Sequence, residues 1–146
     1  MGDGGSPFEM LGGPPCLHHV GIVVGNLEEA VARYQALGFG PGERFAIPEQ
    51  HVVAVTFASG PGWTELISPT DPVGPIARFH AKRGDGLHHV AYAVPDLDAT
   101  LARLAAAGIR LIDPHPRTGT HGWRIAFLHP ESCNGVLTEL VEHNED

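Results

Sequence analysis

Leu17-His18-His19-Val20-Gly21-Ile22-Val23-Val24 decides the fold, because the chain writes it twice: seventy residues on stands Leu87-His88-His89-Val90-Ala91-Tyr92-Ala93-Val94. The echo runs past the stretch itself. Asn26-Leu27-Glu28 matches Asp96-Leu97-Asp98, Ala32-Arg33 matches Ala102-Arg103, and Gly38 matches Gly108. A fixed offset held over such a length marks a duplicated unit. With two copies it predicts one domain of two pseudo-symmetric halves.

Within each stretch the residues alternate as a strand does. His18, Val20, Ile22 and Val24 share one face, and His19, Gly21 and Val23 the other. In the copy His88, Val90, Tyr92 and Val94 oppose His89, Ala91 and Ala93. Leu27, Ala30, Val31, Tyr34 and Leu37 recur at helical spacing after Asn26, a good N-cap, and Gly38 stops the run. The copy repeats this over 97–107, with Asp96 as cap and Gly108 as stop. The β-branched faces should pack on these helices, leaving His19 and His89 opposite them beside small residues. His18 and His88 then read as structural.

Further strands are expected at 43–47, 51–58 and 63–67 in the first half, and at 109–112, 123–128 and 136–142 in the second. A short helix over 76–82 links the halves. The stretch 113–122 is rich in Pro, Gly and His and long for a hairpin, the kind of loop that carries function. Each half is strand-helix-strand-strand-strand. The fold class is α+β, two paired βαβββ modules forming a curved mixed sheet around a cleft. The halves span 17–70 and 87–142 of a domain over 16–146, with 1–15 as a loose Gly- and Pro-rich tail.

At 146 residues, 42% hydrophobic and 18% charged, the chain has the make-up of a single globular domain. Its net charge of -8 and scattered Lys and Arg argue against nucleic acid as a partner. Cys16 and Cys133 are too few for a disulfide framework and are read as free thiols. Neither a signal peptide nor a membrane-spanning run is legible, which suggests a soluble cytoplasmic protein with no membrane partner.

The chemistry lies in what the duplication repeats. Thr64-Glu65-Leu66 returns as Thr138-Glu139-Leu140, at an offset of 74 beside the 70 of the histidines. Two His and two Glu thus fall in equivalent places, His19 with Glu65 and His89 with Glu139. Imidazole and carboxylate together suit a divalent transition metal. A lone His on a strand is usually an ordinary core or edge residue; the repeated pattern makes all four candidate ligands. His51, His80, His115 and His143 read as surface or loop residues, and Trp63 and Trp123 as filling core or cleft.

These residues carry a resemblance to the vicinal oxygen chelate superfamily and, within it, to the methylmalonyl-CoA epimerase family, from about residue 17 to 142. Its marks are His19-Val20-Gly21-Ile22, Pro48-Glu49-Gln50, Glu65-Leu66-Ile67-Ser68-Pro69 and Pro75-Ile76-Ala77-Arg78-Phe79. They continue through 83–91, Pro116-Arg117-Thr118-Gly119-Thr120-His121-Gly122, and the final run from Arg124 through His129-Pro130 to Leu140. The resemblance implies a divalent ion, cobalt first and manganese, nickel or zinc otherwise, held by His19, Glu65, His89 and Glu139. It implies interconversion of (2R)- and (2S)-methylmalonyl-CoA through loss of the C2 proton and a metal-stabilised enolate. It also implies substrate binding by Gln50, Arg117, His121, Gly122 and His129, and a homodimer.

Epimerisation needs an acid and a base on opposite faces of C2. Glu139 fits one role. Part of the family carries its other catalytic Glu where this chain has Ala54, so the second carrier stands among Glu49, Glu65, His51 and His121, with Glu49 placed first. The anionic ester must meet local positive charge on this acidic chain, from Arg78, Lys82, Arg83, Arg117 or Arg124. A glyoxalase I-like lyase and a metal-free drug-binding protein of the same fold are the competing readings, and ethylmalonyl-CoA the competing substrate.

Overall fold

The computed structural model describes residues 10–143. Its first repeat runs β1 (Cys16–Val23), α1 (Leu27–Ala36), β2 (Gly42–Ile47), β3 (Val52–Ser59) and β4 (Gly62–Pro69). A linking helix α2 (Pro75–Arg83) follows. The second repeat runs β5 (Gly86–Val94), α3 (Leu97–Ala106), β6 (Arg117–Thr118), β7 (Arg124–Leu128) and β8 (Thr138–Glu142). The βαβββ order expected of each half is therefore present twice. Among the described residues no helix is long and apolar enough to cross a membrane.

Two compact units divide the described chain, His19–His89 and, in the other, 10–18 with 90–143. In the first, the strands lie in the order β2-β3-β4-β1. β1 runs parallel to β4, and β3 antiparallel to β2 and β4. In the second, the order β5-β8-β7-β6 repeats the same plan, with β5 parallel to β8. Register is duplicated too. Val20 lies opposite Thr64 and Gly21 opposite Glu65, as Val90 lies opposite Thr138 and Ala91 opposite Glu139.

Both main helices start where their caps dictate. Asn26 Oδ1 accepts from the Glu29 amide at 3.0 Å, and Asp96 Oδ1 from the Ala99 amide at 3.0 Å. The helices cover the faces assigned to them. Ile22 and Val24 pack with Leu27, Ala30, Phe57 and Leu66 around α1, and Tyr92 and Val94 with Leu97, Leu101, Leu104 and Leu140 around α3. His19, Gly21 and Val23 are buried on the other side of β1.

The second repeat departs from expectation between α3 and β7. The strand foreseen at 109–112 does not form; Leu111 makes only an isolated bridge to Leu128. The backbone explains it. The Ile109 amide donates to Leu104 at the end of the helix, while the Ile112 and Asp113 amides both donate to the Phe127 carbonyl. Pro114 and Pro116 then bring no amide donor at all. The paired segment shifts into the loop as β6. Of the stretch read as a tail, residues 1–9 lie outside the described residues. Met10 and Leu11 are held: the Met10 carbonyl accepts from Arg103 Nε at 3.1 Å, and Leu11 packs on the α3 cluster.

Candidate metal centre

Three of the four candidate ligands meet inside the unit 19–89. β1 delivers His19, β4 delivers Glu65 opposite Gly21, and β5 delivers His89. His19 Nε2 lies 3.2 Å from His89 Nε2, and Glu65 Oε1 lies 3.7 Å from each. All three side chains are buried, at 1–5% exposure. Ligand atoms on a divalent ion bound at about 2.0–2.2 Å sit roughly 3.0–3.6 Å from one another, which is close to this triangle. A carboxylate kept from water beside two facing imidazoles is costly without a cation. The donor set fits a divalent metal.

Gly21 makes the arrangement possible. A Cβ built there would stand 2.1 Å from His89 Cε1, so the imidazole occupies the space a side chain would fill. The glycine serves through its small size; its φ is not in the left-handed region. His88, read as merely structural, has a further contact. Its Nδ1 lies 2.9 Å from His89 Nδ1, and its ring stands edge-on to Phe79 of α2. A bond at Nδ1 selects which ring nitrogen of His89 faces its neighbours, the usual means of orienting a ligating imidazole. Sequence alternation had set these two side chains apart.

Glu139 belongs to the other unit, where it takes the place that Glu65 has in the first. It is buried on β8, opposite Ala91 of β5 and Phe127 of β7. The remaining candidates are more scattered. Glu49 is exposed on the 3-10 turn Pro48–Gln50, with Gln50 half-buried beside it. That turn precedes β3, whose Val52 pairs with Pro69 while Thr56 pairs with Glu65. Four residues of strand, about 13 Å, separate the two pairs.

His51 is in the left-handed conformation, φ 60°, and its Nδ1 lies 3.0 Å from Asp71 Oδ2. The amide of Val73, and then His51, hold the Asp71 carboxyl below its ordinary pKa. His121 is also left-handed, φ 61°, and stacks on Trp123, which also meets His18 edge-on. Gly122 follows it with φ 75°. Arg117 pairs with Asp113 at 3.2 Å and lies over Phe127. His129 Nδ1 caps a short 3-10 turn by accepting from the Glu131 amide. Ala54, at the position where part of the family has Glu, is packed among Ile47, Val52 and Ile67. A carboxylate there would meet an apolar cluster.

The chain belongs to the Glyoxalase/Bleomycin resistance protein/Dioxygenase superfamily, whose profile matches residues 18–127. Its relatives within that superfamily are narrower in kind. It is 41% identical over 130 residues to the ethylmalonyl-CoA/methylmalonyl-CoA epimerase of Cereibacter sphaeroides, covering 86% of this chain and 96% of that one. The crystal structure of methylmalonyl-CoA epimerase from Mycobacterium tuberculosis superposes with a TM-score of 0.83, at 37% identity over 89% of each chain. A methylmalonyl-CoA epimerase solved in complex with methylmalonyl-CoA and NH4+ superposes at 0.81, with 36% identity over 88% of this chain and 94% of the other.

Proposed function

We propose that this protein is a metal-dependent epimerase that interconverts (2R)- and (2S)-methylmalonyl-CoA. The buried His19–Glu65–His89 triangle carries the reading, in a chain that has epimerases of such esters among its relatives. Glu139 is proposed as the fourth ligand, on the ground that it repeats Glu65 in the duplicated register. Cobalt as the preferred ion, a homodimer and a cytoplasmic setting belong to the same proposal.

The C2 hydrogen lies between a thioester and a carboxylate, so removing it leaves charge spread over carbonyl oxygen. A divalent ion supplies Lewis-acid stabilisation of that charge. The residues of the chain do the rest. Glu139, kept dry on β8, takes and returns the proton on one face. Glu49 is assigned the other face, because the alternatives are engaged: Glu65 with both histidines, His51 with Asp71, His121 on Trp123. Gln50, Arg117, His121, Gly122 and His129 are assigned to holding the ester.

Solvent deuterium entering C2 of methylmalonyl-CoA, followed by NMR, tests this. Cobalt-loaded protein should exchange rapidly. EDTA treatment should abolish exchange, and Glu139→Gln should abolish it while keeping cobalt. Glu49→Gln should allow wash-in from one isomer and stop interconversion. Negligible exchange by cobalt-loaded wild type with both methylmalonyl-CoA and ethylmalonyl-CoA would sink the epimerase reading. Turnover of methylglyoxal with glutathione would then identify a lyase.

A further inference from the structure

The anionic ester has to find cations on an acidic chain, and the structure shows which ones are available. Six of the nine basic side chains are already engaged. Arg33 pairs with Glu29, Arg44 with Glu28, Arg110 with Glu131, and Arg117 with Asp113. Arg124 is held between Asp98 and Glu142, and Arg103 donates to the Met10 carbonyl and the Thr100 hydroxyl. The other three, Arg78, Lys82 and Arg83, all lie on the nine-residue helix α2 and are exposed. Among the described residues none of the three has a carboxylate partner.

Their placement is not what helix stability alone selects. Arg78 and Lys82 stand four residues apart, where like charges face and repel one another. Lys82 and Arg83 complement the carbonyls at the helix end, but Arg78 lies a turn nearer the opposite, positive end of the dipole. No acidic residue occurs within α2 to offset them. A bound anion would relieve the repulsion. The helix also touches the metal-binding group of its own unit. Arg83 lies 5.7 Å over the Phe79 ring, Phe79 packs edge-on against His88 at 4.9 Å, and His88 lies against His89.

We propose that Arg78, Lys82 and Arg83 form the subsite for the phosphate groups of the coenzyme A ester, an assignment that rests on the acyl-CoA reading above. The helix supplies positive charge where a net charge of -8 would otherwise repel the ligand. For the phosphates, Arg117 and Arg124, equal candidates by sequence, rank behind the helix because each is already paired with a carboxylate.

The test compares wild type with Arg78→Ala/Lys82→Ala/Arg83→Ala, cobalt-loaded, on methylmalonyl-CoA and on methylmalonyl-pantetheine, which lacks those phosphates. Alanine suits an exposed helix, and circular dichroism with cobalt content checks that the variant is folded. Losing three exposed ion pairs should raise KM for the CoA ester about tenfold with kcat unchanged. The rise of KM with added salt should flatten. On the pantetheine ester the two proteins should match. Unchanged KM and salt dependence on the CoA ester would overturn the subsite. If wild type epimerises neither ester, equilibrium dialysis with coenzyme A itself decides. Binding to wild type that the triple variant loses keeps the subsite though the epimerase reading has failed; absent or equal binding overturns it.

Discussion

Gly21 shows how much one missing carbon can decide. Its neighbour across the unit is the His89 imidazole, and a methyl group in that space would overlap the ring. Because His89 Nδ1 is also tied to His88, the ring cannot swing aside without giving up that bond. Gly21→Ala should therefore destabilise the fold by about 1–3 kcal/mol, the usual range for overpacking a filled interior. It should also prevent stoichiometric cobalt binding. Urea denaturation and the visible spectrum of added cobalt measure the two effects. A variant that binds cobalt like wild type would show that the triangle does not need this spacing.

The helices α1 and α3 are built alike, and their caps can be compared directly. Each begins with a side-chain oxygen accepting the amide three residues on, Asn26 to Glu29 and Asp96 to Ala99. Asn26→Ala and Asp96→Ala should each cost about 1 kcal/mol, read as a lower urea midpoint at constant slope. The duplication thus reaches the level of capping. It does not extend to the segment leading into the third strand. The first repeat pairs β2 over six residues, whereas the second has only Arg117–Thr118 in the equivalent place. Prolines at 114 and 116 and the shared Phe127 carbonyl account for the difference.

At the scale of the molecule, the proposed metal centre would link metal binding to stability. Three buried ligand-type side chains in one unit are more stable with a cation among them, so an ion that binds only the folded form must raise the stability of the whole. Cobalt at a hundred times its Kd should add about 2.7 kcal/mol. Thermal melts with and without cobalt should show the upward shift in wild type and none in His19→Ala, whatever that variant's own midpoint. A shift of equal size in the variant would place the ion elsewhere.

Much of this was legible without coordinates. The offset of 70 residues named the duplicated unit, because sequence identity survives translation along the chain. Alternation along 17–24 put His19 and Gly21 together, because side chains on a strand alternate by geometry alone. Composition and caps bounded both helices, since those signals act over a single turn. The offset of 74 named Glu65 and Glu139. What only the tertiary structure decided depends on residues far apart in the chain. Glu65 between His19 and His89, His89 filling the space at Gly21, and His88 set against Phe79 all require strands and a helix to be packed side by side. Which arginines remain available was legible only in part: Arg33 and Arg117 have carboxylates four residues earlier, whereas Arg44, Arg110 and Arg124 are paired with carboxylates that the fold brings to them. Periodicity is local and can be read from a string; a distance between ring nitrogens seventy residues apart is set by packing.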